Sequence, residues 1–127
     1  MKAAVEAFAV VFSEVRFIDT LGPKLYPNAL RHADVMLGNS SSGVIEAGLF
    51  GLPVIDIGDR QRGRERGANV AHLVNDAAAI IAALDNLKSN GRFPASSPYG
   101  DGKAGPRIVN LLTSLPPRHE LLRKVAR

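Results

Sequence analysis

Short apolar runs, with helix-forming segments between or after them, constrain the fold of this chain more than any other feature. The runs lie at residues 34–38, 53–58 and 70–74 and are nearly continuous in apolar residues. Strands of this kind are typical of parallel sheets that helices cover on both faces. The sequence therefore predicts an α/β fold, in which a Rossmann-like parallel sheet has flanking helices.

Apolar periodicity, capping residues and prolines predict the remaining elements. Helices are predicted at residues 2–12, 23–33, 43–50 and 76–88, with a final helical region at about 104–125 that Pro116 and Pro117 interrupt. Asp76 is the predicted N-cap of the fourth helix, and Gly51 the predicted end of the third. A fourth strand is predicted at residues 15–19, where the sequence VRFID combines β-branched and aromatic residues.

The length and order of these elements predict an incomplete domain. The chain has 127 residues, begins in a helix and contains four predicted strands. A doubly wound domain normally begins on a strand and has about five or six strands. Residues 1–127 are therefore predicted to form part of one domain, and the exposed sheet edge that this leaves favours a homo-oligomer.

Composition restricts the cellular compartment and the kinds of binding site that we expect. No apolar run approaches the roughly 18–20 residues of a membrane span, and Glu6 interrupts the apolar N-terminus, so we expect an amphipathic helix and no membrane partner. The chain has no cysteine, which excludes disulfides and thiolate metal sites. The cytoplasm is the predicted compartment, and neither a metal nor a cofactor is predicted.

The charge balance favours an anionic partner. The formal net charge is +4 and the pI is about 9.9. Aromatic residues are few, with five phenylalanines, two tyrosines and no tryptophan, and they do not alternate with the basic residues as on a surface that binds single strands. A small phosphorylated ligand fits this pattern better than nucleic acid does.

The serine loop, GNSSSG at residues 38–43, joins a predicted strand to a predicted helix. Free backbone N–H groups at a helix N-terminus attract anions, and serine hydroxyls add hydrogen-bond donors. Val44 and Ile45 follow where a Walker loop has Lys and Ser, and Ser42 stands where a nucleophile elbow has its second glycine. The serines are therefore predicted to bind a ligand and not to act as nucleophiles.

Two local interpretations of this loop stay open. Ser42 is a candidate N-cap, and Gly43 with Glu46 has the spacing of a capping box. Alternatively, Glu46 accepts hydrogen bonds from vicinal hydroxyls, as acidic residues do when they bind a nucleotide ribose.

The arginine loop follows the strand at residues 53–58 and carries Arg60, Arg62, Arg64 and Arg66. Arg60 lies nearest the strand end, and a guanidinium is suited to bidentate contact with phosphate. Arg64 and Arg66 are predicted to belong to a solvated loop held by salt bridges. Asp59 is a candidate to orient these arginines, whereas Asp56 lies inside a buried strand pattern.

Other patterns carry no predicted chemistry. The glycines at 100, 102 and 105 match a dinucleotide fingerprint in form, but no strand precedes them, so we expect a tight turn before the last helix. His32, His72 and His119 lack the spacing of metal ligands and are predicted to be structural or surface residues.

The segment GNSSSGVIEAGLFGLPVIDIGDRQRGRERGANV closely resembles the C-terminal domain of UDP-N-acetylglucosamine 2-epimerases of the hydrolysing branch, which serve sialic acid and related nonulosonate synthesis. The sequence YGDGKAGPRI near the end resembles the closing helix of that family, and the likeness covers residues 15–114. The non-hydrolysing branch usually carries a different sequence in place of GDRQRGRER.

The resemblance implies a role for the two loops. The family has two Rossmann-like domains in the GT-B arrangement, with a UDP-sugar such as UDP-GlcNAc between them. On its pattern Ser40 and Ser41 hold the diphosphate, Glu46 holds the ribose, and Arg60 contacts the diphosphate region. The resemblance also places the acid–base residues in an N-terminal domain that precedes this chain, so no catalytic residue is predicted here and the chain alone is expected to be inactive.

Two alternatives remain at this point. One is the donor-binding half of a GT-B glycosyltransferase, which the GDRQ-x-GR pattern disfavours. The other is a non-catalytic module whose basic surface binds a partner such as nucleic acid.

Overall fold

The computed structural model of the chain describes residues 2–123, which divide after Ala33 into two compact units. The first unit contains helices α1 (Lys2–Val11) and α2 (Gly22–His32), and both confirm predicted helices. The second contains the sheet and the other helices.

The strand predicted at residues 15–19 is wrong. These residues form no regular element, and the backbone N–H of Val15 donates to the carbonyl of Phe12 over 3.0 Å in a turn that follows α1. A strand needs a neighbouring strand to satisfy its backbone groups, and the described residues of the first unit contain none.

The sheet of the second unit has three parallel strands in the order β1 (Met36–Gly38), β2 (Val54–Ile57) and β3 (Val70–Leu73). All three confirm predicted strands, and the α/β class with a parallel sheet and flanking helices is confirmed with them. The central strand β2 has a neighbour on each side and is the most deeply buried. It therefore gives the loop at its carboxyl end a rigid base.

The helices of the second unit follow the predicted order with one correction. They are α3 (Ser41–Ile45), α4 (Ala77–Asn90), α5 (Ala104–Ser114) and α6 (Arg118–Leu121), with single 3₁₀ turns at Ala47–Phe50 and Asp59–Gln61. The helix predicted at 43–50 begins two residues earlier and changes to 3₁₀ geometry after Glu46.

The predicted ends of two helices are confirmed. The Asp76 carboxylate accepts a hydrogen bond from the backbone N–H of Ala79 over 2.7 Å, which makes it the N-cap of α4. Gly51 closes the 3₁₀ turn with φ 61°, a left-handed conformation that glycine adopts without steric cost.

The core of the second unit lies between α3, the following 3₁₀ turn and β2. Its buried apolar side chains are Val44, Ala47, Leu52, Val54 and Ile55. An extended segment covers the 3₁₀ turn from outside, since the backbone N–H groups of Phe93 and Ser96 donate to the carbonyls of Gly51 and Gly48, each over 2.9 Å. The helix that follows the serine loop is thus held on both sides.

Close approach of this segment makes Gly48 sensitive to substitution. A Cβ at Gly48 would overlap the Ser96 carbonyl oxygen and lie 3.2 Å from Asn69 Oδ1. We expect Gly48→Ala to lower the free energy of unfolding by about 2 kcal/mol, because overpacked sites cost about 1–3 kcal/mol. Urea denaturation followed by circular dichroism measures the change.

Gly105→Ala provides the matched control for Gly48→Ala. Gly105 lies in the first turn of α5, and a Cβ there would meet no atom within 4 Å. Alanine in an open helical position is neutral or stabilising by up to about 1 kcal/mol. Equal losses for the two variants would contradict the close contact at Gly48.

Candidate functional site

The carboxyl ends of the three parallel strands lie side by side. Gly38 is paired in register with Asp56, and Asp56 with His72. The serine loop leaves β1 and the arginine loop leaves β2 just beyond this row. Carboxyl ends of parallel strands are the usual ligand-binding edge of an α/β sheet.

The serine loop caps α3 through Ser40. The Ser40 hydroxyl oxygen accepts a hydrogen bond from the backbone N–H of Ser42 over 3.3 Å, and its carbonyl accepts from Gly43 over 3.1 Å. Ser42 is buried and Gly43 lies inside the helix, so the predictions of a cap at Ser42 or Gly43 were wrong. Serine is a favoured N-cap at each of the three positions, so the sequence did not determine which of them starts the helix.

Ser41 and Glu46 keep polar groups free at the surface. Ser41 is exposed, and its hydroxyl makes no hydrogen bond within residues 2–123. Glu46 is exposed at the end of α3 and forms no ion pair with any described residue. Its carboxylate therefore remains available to a ligand.

Glu46 lines a cavity of about 570 Å³. Ile45 and Leu49 lie beside it, and the opposite wall comes from the segment that begins at Ser97 and runs into α5. The volume falls within the roughly 300–1,000 Å³ of small-molecule pockets. The lining combines apolar side chains with the charged groups of Glu46, Asp101 and Arg107.

The wall of this cavity is fixed by a loop whose charges are paired internally. Asp101 receives two hydrogen bonds from the Arg107 guanidinium, each over 2.8 Å. This contact, with a hydrogen bond from the backbone N–H of Lys103, holds the pKa of Asp101 below its ordinary value of 3.8. The contribution of the Asp101–Arg107 pair to stability is therefore complete above the ordinary pKa of the carboxyl and is lost as the pH falls through its lowered pKa.

The cavity-lining segment before α5 also contacts the arginine loop. The Tyr99 hydroxyl donates to the carbonyl of Glu65 over 2.9 Å. The GxGxxG pattern at residues 100–105 leads into α5 as a turn, and no strand of the described chain precedes it directly, as its sequence context indicated.

The four arginines of the arginine loop fall into two groups. Arg62 lies 3.9 Å from Asp59 in an exposed pair, and Arg66 lies 3.2 Å from Asp56. Arg60 and Arg64 are exposed and have no ion pair or side-chain hydrogen bond within residues 2–123. The prediction of a solvated loop held by salt bridges was right for Arg66 about the salt bridge but wrong about solvation, because its side chain is only 25% exposed. For Arg64 it was right about exposure but, among the described residues, wrong about the salt bridge.

A chain of hydrogen bonds, here called the polar relay, crosses the carboxyl ends of all three strands. Asp56 Oδ2 accepts from Arg66 Nη2 and pairs with His72 Nδ1, both over 3.2 Å. Arg66 Nη2 also donates to the Gln61 carbonyl over 3.0 Å. The Gln61 amide then donates to the carbonyl of Asn39 over 2.8 Å.

Sequence reasoning missed the role of Gln61 in this relay. The sequence did contain one indication of the relay. Asp56 is a single carboxylate in the apolar strand sequence VIDI, and a buried charge requires a partner. Nothing in the sequence indicated which arginine would supply it, or that Gln61 would join the two loops.

Comparison with known proteins identifies the family of the chain. The sequence profile of the UDP-N-acetylglucosamine 2-epimerase family matches residues 1–113. The chain belongs to this family. It is 40% identical over 111 residues to a UDP-N,N'-diacetylbacillosamine 2-epimerase (hydrolyzing) of Legionella pneumophila, and the match covers 87% of the chain and 29% of that protein.

Other relatives give the same picture. The chain is 34% identical over 93 residues to a UDP-N-acetylglucosamine 2-epimerase of Neisseria meningitidis, which covers 73% of the chain and 23% of that protein. It is 39% identical over 77 residues to a GDP/UDP-N,N'-diacetylbacillosamine 2-epimerase (hydrolyzing) of Campylobacter jejuni, with 60% and 19% covered. The chain thus spans less than a third of the length of these epimerases.

The helices of the described chain are short on the scale of a bilayer. Among residues 2–123, no helix combines the length and the apolar character that crossing a membrane requires.

Proposed function

We propose that this chain is the nucleotide-diphosphate-binding part of a hydrolysing UDP-N-acetylglucosamine 2-epimerase, which converts UDP-GlcNAc or a related UDP-sugar into N-acetylmannosamine, or its counterpart, and UDP. The observation that carries the proposal is the hydrogen bond between Gln61 and Asn39, which brings the serine and arginine loops together. Family membership and the names of two hydrolysing relatives support the reaction class.

The proposed contacts follow from the groups that the two loops leave free. Ser41 binds the diphosphate with its free hydroxyl, and Ser40 donates its hydroxyl proton to the same group while its oxygen caps α3. Arg60, exposed and unpaired among the described residues, donates to the same diphosphate. Glu46 accepts from the ribose hydroxyls, and the adjoining cavity of about 570 Å³ has room for the nucleoside.

The remaining parts of the enzyme are proposed from the family. The relatives are more than three times as long as the matched segment, and we assign the sugar-facing acid and base to an N-terminal domain of the GT-B arrangement. Nonulosonate synthesis in the cytoplasm, by a homo-oligomer, is the proposed context.

Nucleotide titration tests the proposal. Calorimetry of the purified chain should give saturable UDP binding that UDP-GlcNAc competes with. Binding of an oligonucleotide that weakens steeply with salt, without UDP saturation, would instead indicate a basic nucleic-acid module.

Substitution of Arg60 tests the proposed phosphate contact. We expect Arg60→Ala to weaken UDP binding by roughly 10-fold or more, because hydrogen bonds to charged groups contribute about 1.5–3 kcal/mol. Arg64→Ala is the matched control, since Arg64 is also exposed and unpaired within residues 2–123 but lies farther along the chain from the strand end. Equal losses by calorimetry would mean that the loop acts only as diffuse charge.

A further inference from the structure

Gln61 joins the two proposed binding loops through one buried contact. The residue is 3% exposed, and its side-chain amide donates over 2.8 Å to the carbonyl of Asn39, the residue before Ser40. The same residue follows Arg60 directly. Because a buried amide loses its partner if the loops separate, this contact favours one spacing between them.

The sheet holds Gln61 from the opposite side. Arg66 Nη2 donates both to the Gln61 carbonyl, over 3.0 Å, and to Asp56 Oδ2, over 3.2 Å. Asp56 is 1% exposed and belongs to the central strand β2. Gln61 is therefore connected to β2 through its carbonyl and to the end of β1 through its side chain.

The polar relay is expensive for the fold. Asp56 Oδ1, Gln61 Oε1 and Arg66 Nε are buried and have no hydrogen-bond partner among the described residues. Unpaired buried polar atoms reduce stability, and well-packed apolar side chains of similar volume often serve a fold as well or better. A gain in stability alone therefore does not account for polar residues at these positions.

We infer that Gln61 is a positioning residue that sets the spacing of the serine and arginine loops, so that one diphosphate meets Ser41 and Arg60 together. The inference rests on the proposed function, because it takes both loops to contact one ligand. The inference predicts that substitution of Gln61 affects some ligands more than others. A ligand that spans both loops depends on Gln61, whereas a ligand with a single phosphate depends on it less.

The Gln61→Met variant tests this selectivity, since methionine has a similar shape and lacks the amide. We expect its Kd for UDP to rise about 5- to 10-fold, as for loss of one hydrogen bond, and its Kd for UMP to rise about 2-fold or less. Asn86→Met, an amide-to-thioether change at an exposed position of α4, is the matched control and should change neither Kd. Equal losses for UDP and UMP would overturn the inference, because a purely structural role weakens both alike.

A measurement without ligand separates this inference from the proposed function. Backbone hydrogen exchange should become roughly 5-fold faster or more in Gln61→Met at Ser42 and Gly43, in the serine loop, and at Arg64, whose N–H donates to the Gln61 carbonyl. Gln61→Asn, one methylene too short to reach Asn39, serves if the methionine variant does not fold.

The outcomes are distinct. Unchanged exchange in the serine loop would overturn the positioning role of Gln61 whatever the nucleotide affinities are. Absence of UDP binding by the unsubstituted chain would contradict the proposed function, and the exchange rates would still decide whether Gln61 fixes the loops.

Discussion

The purified 127-residue chain should bind UDP, but it should not convert UDP-GlcNAc into UDP and N-acetylmannosamine at a rate near that of the longer epimerases. Chemistry at sugar C2 needs a base at that carbon and an acid for the leaving oxygen, and each contributes roughly 10²–10⁴-fold. The hydroxyls of Ser40 and Ser41 have no activating base among their described partners and are poor bases. We therefore expect a deficit of several orders of magnitude.

Domain closure would add to the deficit. In enzymes whose site lies between two domains, closing excludes water and brings opposing groups to the substrate. Under the proposed division of labour, this chain supplies only the nucleotide-binding side. Coupled detection of UDP release, with the UDP-N-acetylglucosamine 2-epimerase of Neisseria meningitidis as the positive control, measures the difference.

His72 is the residue most able to contradict this expectation. It lies in the same register row as Gly38 and Asp56, near the carboxyl ends of the strands, and its Nδ1 pairs with Asp56 Oδ2. A carboxylate that orients an imidazole is a common arrangement for a general base. If the chain turned over UDP-GlcNAc at a rate near that of the longer enzymes, and if His72→Gln abolished this turnover, the base would lie in this chain. The proposed assignment of the acid and base to an N-terminal domain would then be wrong.

Local signals in the sequence were sufficient for the sheet and for several helix ends. The apolar runs around Val54 and Val70 predicted β2 and β3, and Asp76 and Gly51 predicted two helix ends correctly. Each of these depends on burial or on contacts within a few residues. The prediction for residues 15–19 failed because β-propensity does not reveal whether a neighbouring strand is present.

The relative position of the serine and arginine loops was predictable, but the contacts between their side chains were not. The carboxyl ends of β1 and β2 were expected to meet, and the Gln61–Asn39 contact confirms that the loops do so. The choice of Arg66 over Arg60 as the partner of Asp56 depends on how the loop folds back over β2, a contact between residues ten apart in sequence. The ligand contacts of Ser40, Ser41, Glu46 and Arg60 stay predictions.

The Asp56–Arg66 pair should dominate the effect of substitution at the polar relay. Asp56→Asn removes the charge that compensates an arginine whose side chain is only 25% exposed. We expect a loss of about 3 kcal/mol in the free energy of unfolding, since breaking a buried pair costs about 3–5 kcal/mol and asparagine still accepts a hydrogen bond. Urea denaturation with an unchanged m-value measures it.

Two further variants distinguish a coupled pair from a local packing defect. Asp59→Asn makes the same chemical change in the exposed pair with Arg62, whose side chains are 76% and 80% exposed, and should cost less than about 1 kcal/mol. The double variant Asp56→Asn/Arg66→Gln pairs two neutral amides and should recover at least half of the loss, because the buried charge is then removed with its partner. A double variant whose loss equals the sum of its two single variants would show that Asp56 and Arg66 are not coupled, and the relay would then lack the anchor that connects Gln61 to the central strand.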